Sequence, residues 1–221
     1  MLSPTEHKVD FELIHQALEL TNFDEFKSTI NEPTGNFFYD PWVIKEEFKN
    51  TVWDKILESL PGPKGEARVI TLKPGTAYWS HADADDRWHL NLQSEHGYIC
   101  DLEEQKLHFL ETNSIWYTMD AGRLHTAANF GSKDRVQLVV RQLLKNNQLV
   151  DPIKVSIVLK EKTFDFRYQF DQIISPWLNK ANKNKIISDF VFNNEEVSFN
   201  LEKDFLSDLE SVLPKIFKLI V

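Results

Sequence analysis

The chain has 221 residues, 42% hydrophobic and 12% aromatic, which excludes a disordered polypeptide and suits one well-cored domain spanning 1–221. A formal net charge of -9 excludes the basic surface that a nucleic-acid partner requires. Cys100 is the only cysteine, so no intrachain disulfide forms, and no basic leader or membrane-length apolar run is present; a soluble cytoplasmic protein without a membrane partner is expected.

In chain order, the periodicity predicts short helices over Val9–Leu20 and Thr21–Ile30, then a loop at Pro33-Thr34-Gly35. Asp40 as N-cap and Pro41 at the first helical position predict a helix to Leu60 carrying Trp42, Phe48, Val52, Ile56 and Leu60, ended by Pro61-Gly62-Pro63. Residues 1–62 thus read as a helical N-terminal segment. Eight candidate strands follow, at 66–72, 76–82, 87–93, 97–102, 105–110, 114–119, 124–129 and 134–144. Eight is the strand count of a jelly roll, which places a jelly-roll core at 63–145. Beyond it, Val155–Lys162 suggests one more strand, 167–182 and 201–212 read as helices, and Asn and Lys between 179 and 200 suggest loops. The helix over 201–212 rests on Leu201, Phe205, Leu209 and Leu213 at four-residue spacing. The segment 146–221 is therefore expected to be mostly helical and to pack beside the core or against a second subunit. The fold class is mainly β with flanking helices around a cupin-like jelly roll.

The chemistry concentrates in His81-Ala82-Asp83 and, farther on, His125 and Arg135. His81 and Asp83 lie two apart where a strand runs into a loop, so both side chains leave one face and can share an ion. Two imidazoles and one carboxylate on one face of a metal leave three positions open, the arrangement of non-haem Fe(II) oxygenases. By itself the His-x-Asp pair is weak, because the loop with Asp83, Asp85 and Asp86 also reads as merely solvated. The turn Gly131-Ser132-Lys133-Asp134 suggests a hairpin bringing Arg135 opposite His125, where its planar fork suits a carboxylate one small dicarboxylic acid's length from the metal. Arg87, His89, Asn91 and Gln93 alternate with Trp88, Leu90 and Leu92, and Asn129, Gln137 and Arg141 extend the polar set. A jelly roll places such a polar face at its mouth, while Trp88, Leu90, Val136, Leu138 and Val140 pack outward under helices.

Pro74-Gly75-Thr76, His81, Arg87-Trp88-His89-Leu90, His125, Asn129 and the run from Arg135 to Val140 together resemble the aspartyl/asparaginyl β-hydroxylase family of 2-oxoglutarate-dependent oxygenases, and related bacterial free-proline hydroxylases. The resemblance spans about residues 66 to 142. It implies a double-stranded β-helix that uses Fe(II), 2-oxoglutarate and O2 to hydroxylate an unactivated carbon, releasing succinate and CO2. It implies His81 and His125 as metal ligands, with Asp83 completing the triad, and Arg135 on the distal carboxylate of 2-oxoglutarate. Arg87 and His89 match the family's Arg-x-His, which lies against the cosubstrate near its metal-binding end. Two positions depart from the pattern: Ile70 stands where a hydroxyl is expected, and Arg141 where an acid is common.

Trp79, Arg123 and Arg141 are candidates for the substrate, an aromatic wall and cations suited to a carboxylate, although a strand tryptophan also fills cores and each arginine also suits a salt bridge. Trp116 carries the same ambiguity, His96 and His108 lack ligand partners at useful spacing, and Cys100 fills a strand face. The reading is a hydroxylase of a small carboxylate-bearing substrate such as a free amino acid, proline first. The alternatives are a residue within a peptide or protein, and a non-enzymatic jelly roll that binds without turnover. The sequence sets no oligomeric state.

Overall fold

The structure is a computed structural model and describes residues 1–160, 166–192 and 196–221. The chain opens with strand β1 (Leu2–Lys8) and helix α1 (Phe11–Glu19), then passes through short strands β2 (Lys27–Thr29), β3 (Asn31–Pro33) and β4 (Trp42–Ile44). Helix α2 (Val52–Glu58) precedes the eight central strands. These are β5 (Ala67–Leu72), β6 (Thr76–Ala77), β7 (Arg87–Gln93), β8 (Gly97–Asp101), β9 (Lys106–Phe109), β10 (Ile115–Met119), β11 (His125–Asn129) and β12 (Arg135–Arg141).

The eight strands fall within the eight predicted ranges and divide between two antiparallel sheets. One has the order β1-β10-β7-β12-β5-β2 and the other β6-β11-β8-β9. Apart from β8 and β9, successive strands change sheet, which is the jelly-roll connection. On the outer face of the larger sheet, Val69, Leu90, Val136, Leu138 and Val140 pack with Ile14 and Ala17 of α1 and Trp53, Ile56 and Leu57 of α2, with Trp88 partly buried against them, as the alternation predicts. Trp116 belongs to this core, and its indole N–H donates to Ser59 Oγ at 2.8 Å.

Several expectations are corrected. The helix expected over Thr21–Ile30 is instead a turn leading into β2, whose Lys27–Thr29 pair with Ile70–Arg68. The helix expected from Pro41 to Leu60 survives only as α2, capped by Thr51, which accepts from Trp53 N. Asp40 does not cap it: its carboxylate accepts from Asn36 N at 2.6 Å and closes the preceding loop, while the β-favouring Trp42-Val43-Ile44 pairs with Asn31–Pro33. The N-terminal strand β1, polar and carrying Pro4, has the character of an edge strand and gave no apolar alternation to read.

The turn after β11 also differs from the expected hairpin. β11 pairs with β6 and β8, β12 with β5 and β7, so residues 130–134 cross between sheets rather than joining neighbours. Asn129, fully buried, holds this crossing: its amide donates to Leu72 O at 2.9 Å and Lys133 O at 2.8 Å, and its carbonyl accepts from Gly131 N at 3.0 Å.

The segment expected to be mostly helical instead builds a further four-stranded sheet of its own. Its elements are β13 (Pro152–Leu159), α3 (Phe166–Gln169), a π-helical turn at Phe170–Ile174, α4 (Ser175–Lys183), β14 (Ile187–Phe192), β15 (Glu196–Glu202), α5 (Leu206–Val212) and β16 (Phe217–Ile220), with sheet order β14-β15-β13-β16. Strands β14 and β15 stand where loops were expected between 179 and 200, because Val197, Phe199 and Leu201 bury at a period of two; the helix expected over 201–212 shortens to α5, and only Leu209 of its apolar row is buried inside a helix. The expected strand over Val155–Lys162 corresponds to β13 up to Leu159, and residues 161 and 162 lie outside the described residues. This part has its own apolar core, into which Phe38 and Ala84 insert. Among the described residues no helix is long and apolar enough to cross a membrane.

Replacing Asn129 by Ala removes three hydrogen bonds and strands the carbonyl of buried Leu72, so unfolding free energy should drop by roughly 2–3 kcal/mol. Urea unfolding measures it, and a change under about 0.5 kcal/mol would deny Asn129 this role.

Candidate metal centre

His81 and His125 exchange backbone hydrogen bonds, N to O at 2.8 Å in both directions, so the pairing of β6 with β11 resumes beyond the end of β6. Their rings lie 4.5 Å apart, centroid to centroid. Each Nδ1 approaches the carbonyl two residues earlier, Trp79 O at 2.9 Å for His81 and Arg123 O at 2.7 Å for His125. A carbonyl accepts only, so both Nδ1 atoms carry the proton and both Nε2 lone pairs remain for a ligand. Asp83 Oδ2 stands 4.0 Å from His125 Nε2, and the donor atoms of His81, Asp83 and His125 all lie within 4.8 Å of one another.

The loop carrying His81 and Asp83 is pinned from both sides. Asp83 N donates to Ala121 O at 2.8 Å, and Ala82 N, between the two ligands, donates to Asp171 O of the π-helical turn at 2.9 Å. Burial by itself would raise the Asp83 carboxyl's pKa, but Arg87, whose Nη2 donates to Oδ1 at 2.7 Å, and the two imidazoles hold it well below the usual carboxylate range. Burial, and then the neighbouring His81, pushes His125 down to about 4. An ionised Asp83 beside a neutral His125 is the protonation state a divalent metal requires, and two nitrogens plus one oxygen suit a first-row transition ion.

Behind the triad a narrow cavity of about 60 Å³ is lined by His81, Asp83, His125, Tyr78, His89 and Gln137. His89 is buried, among the described residues neither ring nitrogen has a hydrogen-bond partner within bonding distance, and burial followed by the charge of Arg135 pushes it down to about 3. Arg135 is 2% exposed. Its Nη2 donates to Gln137 Oε1 at 2.7 Å, its Nε has no partner, and among the described residues no carboxylate pairs with it. Burial pushes its pKa down to about 10. Gly97 makes room for it, since a Cβ there would lie 2.3 Å from Arg135 Cδ and 2.8 Å from Nε. Sequence reasoning missed Gly97 because the close approach comes from the opposite sheet.

The other candidates separate. Arg87, which the resemblance sets against the cosubstrate, is engaged by Asp83 and Asp85. Arg141 is buried, donates from Nε to Asp85 Oδ2 at 2.5 Å and lies over the rings of Phe37 and Phe38, 4.0 and 4.5 Å from their centroids. Arg123 turns away to Asp101 and Glu104, each at 2.9 Å, and reaches the centre only through its carbonyl. Trp79 is no core residue: 75% exposed, it meets Tyr168 edge-on at the mouth beside His81. Outside Asp83 a larger cavity of about 390 Å³ includes Phe37, Phe38, Phe170 and Arg141 among its lining residues. No motif marked those phenylalanines; the only signal was an aromatic run, Phe37-Phe38-Tyr39, in a segment without periodicity.

No protein-family model and no curated protein matches the chain. Solved structures similar to part of the chain include a cupin domain and CapF. A cupin domain from Bordetella pertussis Tohama I is 15% identical with a TM-score of 0.32, over 37% of this chain and 84% of that one. CapF, solved with the inhibitor 3-isopropenyl-tropolone, is 12% identical with a TM-score of 0.30, over 45% of this chain and 38% of that one. The strand order itself establishes the jelly roll. Within that jelly roll, the His81-Asp83-His125 cluster is compatible with a metal-dependent enzyme.

Anaerobic titration with Fe(II) should give about one ion per chain, lost in His81→Ala and in His125→Ala. Arg87→Met should weaken binding by about 10- to 100-fold, because Asp83 loses the donor that orients it. Wild-type affinity in the double histidine variant would eliminate this centre.

Proposed function

We propose that the protein is an Fe(II)- and 2-oxoglutarate-dependent oxygenase that hydroxylates an unactivated carbon of a small carboxylate-bearing substrate. The observation that carries this reading is Arg135, a buried guanidinium with unused donors and no acid beside it. A buried cation without a counter-charge is costly, and the distal carboxylate of 2-oxoglutarate supplies one from within the barrel.

His81, Asp83 and His125 would hold the metal, which when bound supplies activation of O2 coupled to conversion of 2-oxoglutarate to succinate and CO2. Their Nδ1 hydrogen bonds fix both imidazole planes, and Arg87 fixes the Asp83 carboxylate. Arg135 and Gln137 receive the distal carboxylate, and His89 offers its ring nitrogens along the cavity. Ile70, in place of the family's hydroxyl, gives the cosubstrate an apolar neighbour, and with Ile99, Met119 and Val139 it keeps water from the inner end. No side-chain base is required, since one oxygen atom of O2 enters the substrate and the other enters succinate. The reading is of a small-molecule enzyme of the reducing cytoplasm, with no nucleic-acid or membrane partner.

Succinate should be released from 2-oxoglutarate in the presence of Fe(II), stimulated by one or more free amino acids, with a +16 Da product. Arg135→Met should raise the 2-oxoglutarate requirement at least about tenfold while leaving Fe(II) binding intact. An unaltered requirement would reduce Arg135 to a structural cation, and stimulation by Asp- or Asn-containing peptides alone would reassign the substrate.

A further inference from the structure

Three cavities meet at Asp83: the narrow one behind the triad, the one of about 390 Å³, and a third of about 270 Å³ at the mouth beside Trp79 and Tyr168. Besides Asp83, one side chain lines all three, Arg68. It stands on β5 between Ala67 and Val69, which bury into the outer core, so the strand turns it to the inner face. Its side chain is 20% exposed, and its one ion-pair partner, Glu66, stands 3.6 Å from Nε. Among the described residues its guanidinium makes no hydrogen bond, and the buried Nε meets only the Glu66 carboxylate.

The neighbouring guanidiniums differ in this respect. Arg87 is committed to Asp83 and Asp85, and Arg141 to Asp85 and two aromatic faces. Arg68 therefore keeps an open fork on the substrate side of the triad, as Arg135 does at the inner end. The 390 Å³ cavity lies at the small end of ligand pockets, and its wall of Phe37, Phe38 and Phe170 suits a compact apolar body. Glu66, which faces Lys27 and Arg68, and Asp171 also line it, and their negative charge disfavours a dianion such as phosphate.

We propose that Arg68 anchors the α-carboxylate of the substrate, and that the substrate is a free amino acid lying with its side chain against the phenylalanine wall. This rests on the oxygenase reading for the identity of the reaction but not for the binding itself. The test is calorimetric titration of the free L-amino acids and their α-carboxamides, on the protein as purified and again with Fe(II) and 2-oxoglutarate added without oxygen. At least one amino acid should bind, its carboxamide at least about tenfold more weakly, and Arg68→Met should bring the acid down to the carboxamide's level, with Arg68→Lys in between. Should Arg68→Met fail to fold, the acid-to-carboxamide ratio in the wild type and in Arg68→Lys decides the matter. Equal binding of acid and carboxamide, full acid affinity in a folded Arg68→Met, displacement by inorganic phosphate at comparable concentration, or no binding by any free amino acid would overturn the proposal. Acid-selective, Arg68-dependent binding without succinate release would support this subsite and count against the oxygenase reading.

Discussion

Everything at the centre of this molecule depends on a buried chain of alternating charges, Asp83, Arg87, Asp85 and Arg141. Asp85 is 1% exposed and is shared by two guanidiniums. Alone, any of these groups would cost several kcal/mol to bury; together they neutralise one another in a region where attraction is strong. The chain ties the loop after β6 to β7 and β12, and its outermost carboxylate is a donor of the triad. Asp83 thus has one oxygen fixed by Arg87 and the other facing the imidazoles. Position and ionisation of the ligand come from the same neighbours.

Against this paired set, Arg135 and Arg68 stand out because among the described residues neither has a carboxylate at hydrogen-bonding distance and each keeps a buried Nε without a hydrogen bond. Natural interiors seldom leave buried guanidinium donors unpaired, and that contrast is what carries both proposals for the site. The jelly roll explains how the two arginines come to lie on the inner face of one sheet. Alternation along β5 and β12 turns Arg68 and Arg135 inward while Val69 and Val136 pack under the helices, and the second sheet closes over them, Gly97 giving way to the deeper arginine.

The C-terminal elements complete the centre in a way the barrel alone cannot. The π-helical turn presents Asp171 O to Ala82 N, between the two ligands of the loop, and carries Phe170 to the outer cavity. A π turn shifts the helix by one residue and re-aims side chains and carbonyls, a device common at functional sites. The outer wall thus comes from two regions far apart in the chain, the loop of Phe37 and Phe38 and this turn.

The sequence by itself determined the eight strands of the jelly roll, the inward and outward faces of β7 and β12, and the cluster His81, Asp83, His125. Those features rest on alternation and spacing within a few residues, which local backbone geometry enforces. Where local signals competed, the sequence misled: Asp40-Pro41 looks like a helix start, but pairing of Trp42–Ile44 with Asn31–Pro33 prevailed, and the apolar row of the last third served a strand before a helix. Only the tertiary structure decided which arginines are occupied. Arg141 meets Asp85 from 56 positions away, Arg123 meets its acids on another face, and Arg68 and Arg135 meet none at hydrogen-bonding distance. Charge pairing acts through space between segments that the fold brings together, so an arginine's sequence neighbours do not show whether its donors are free.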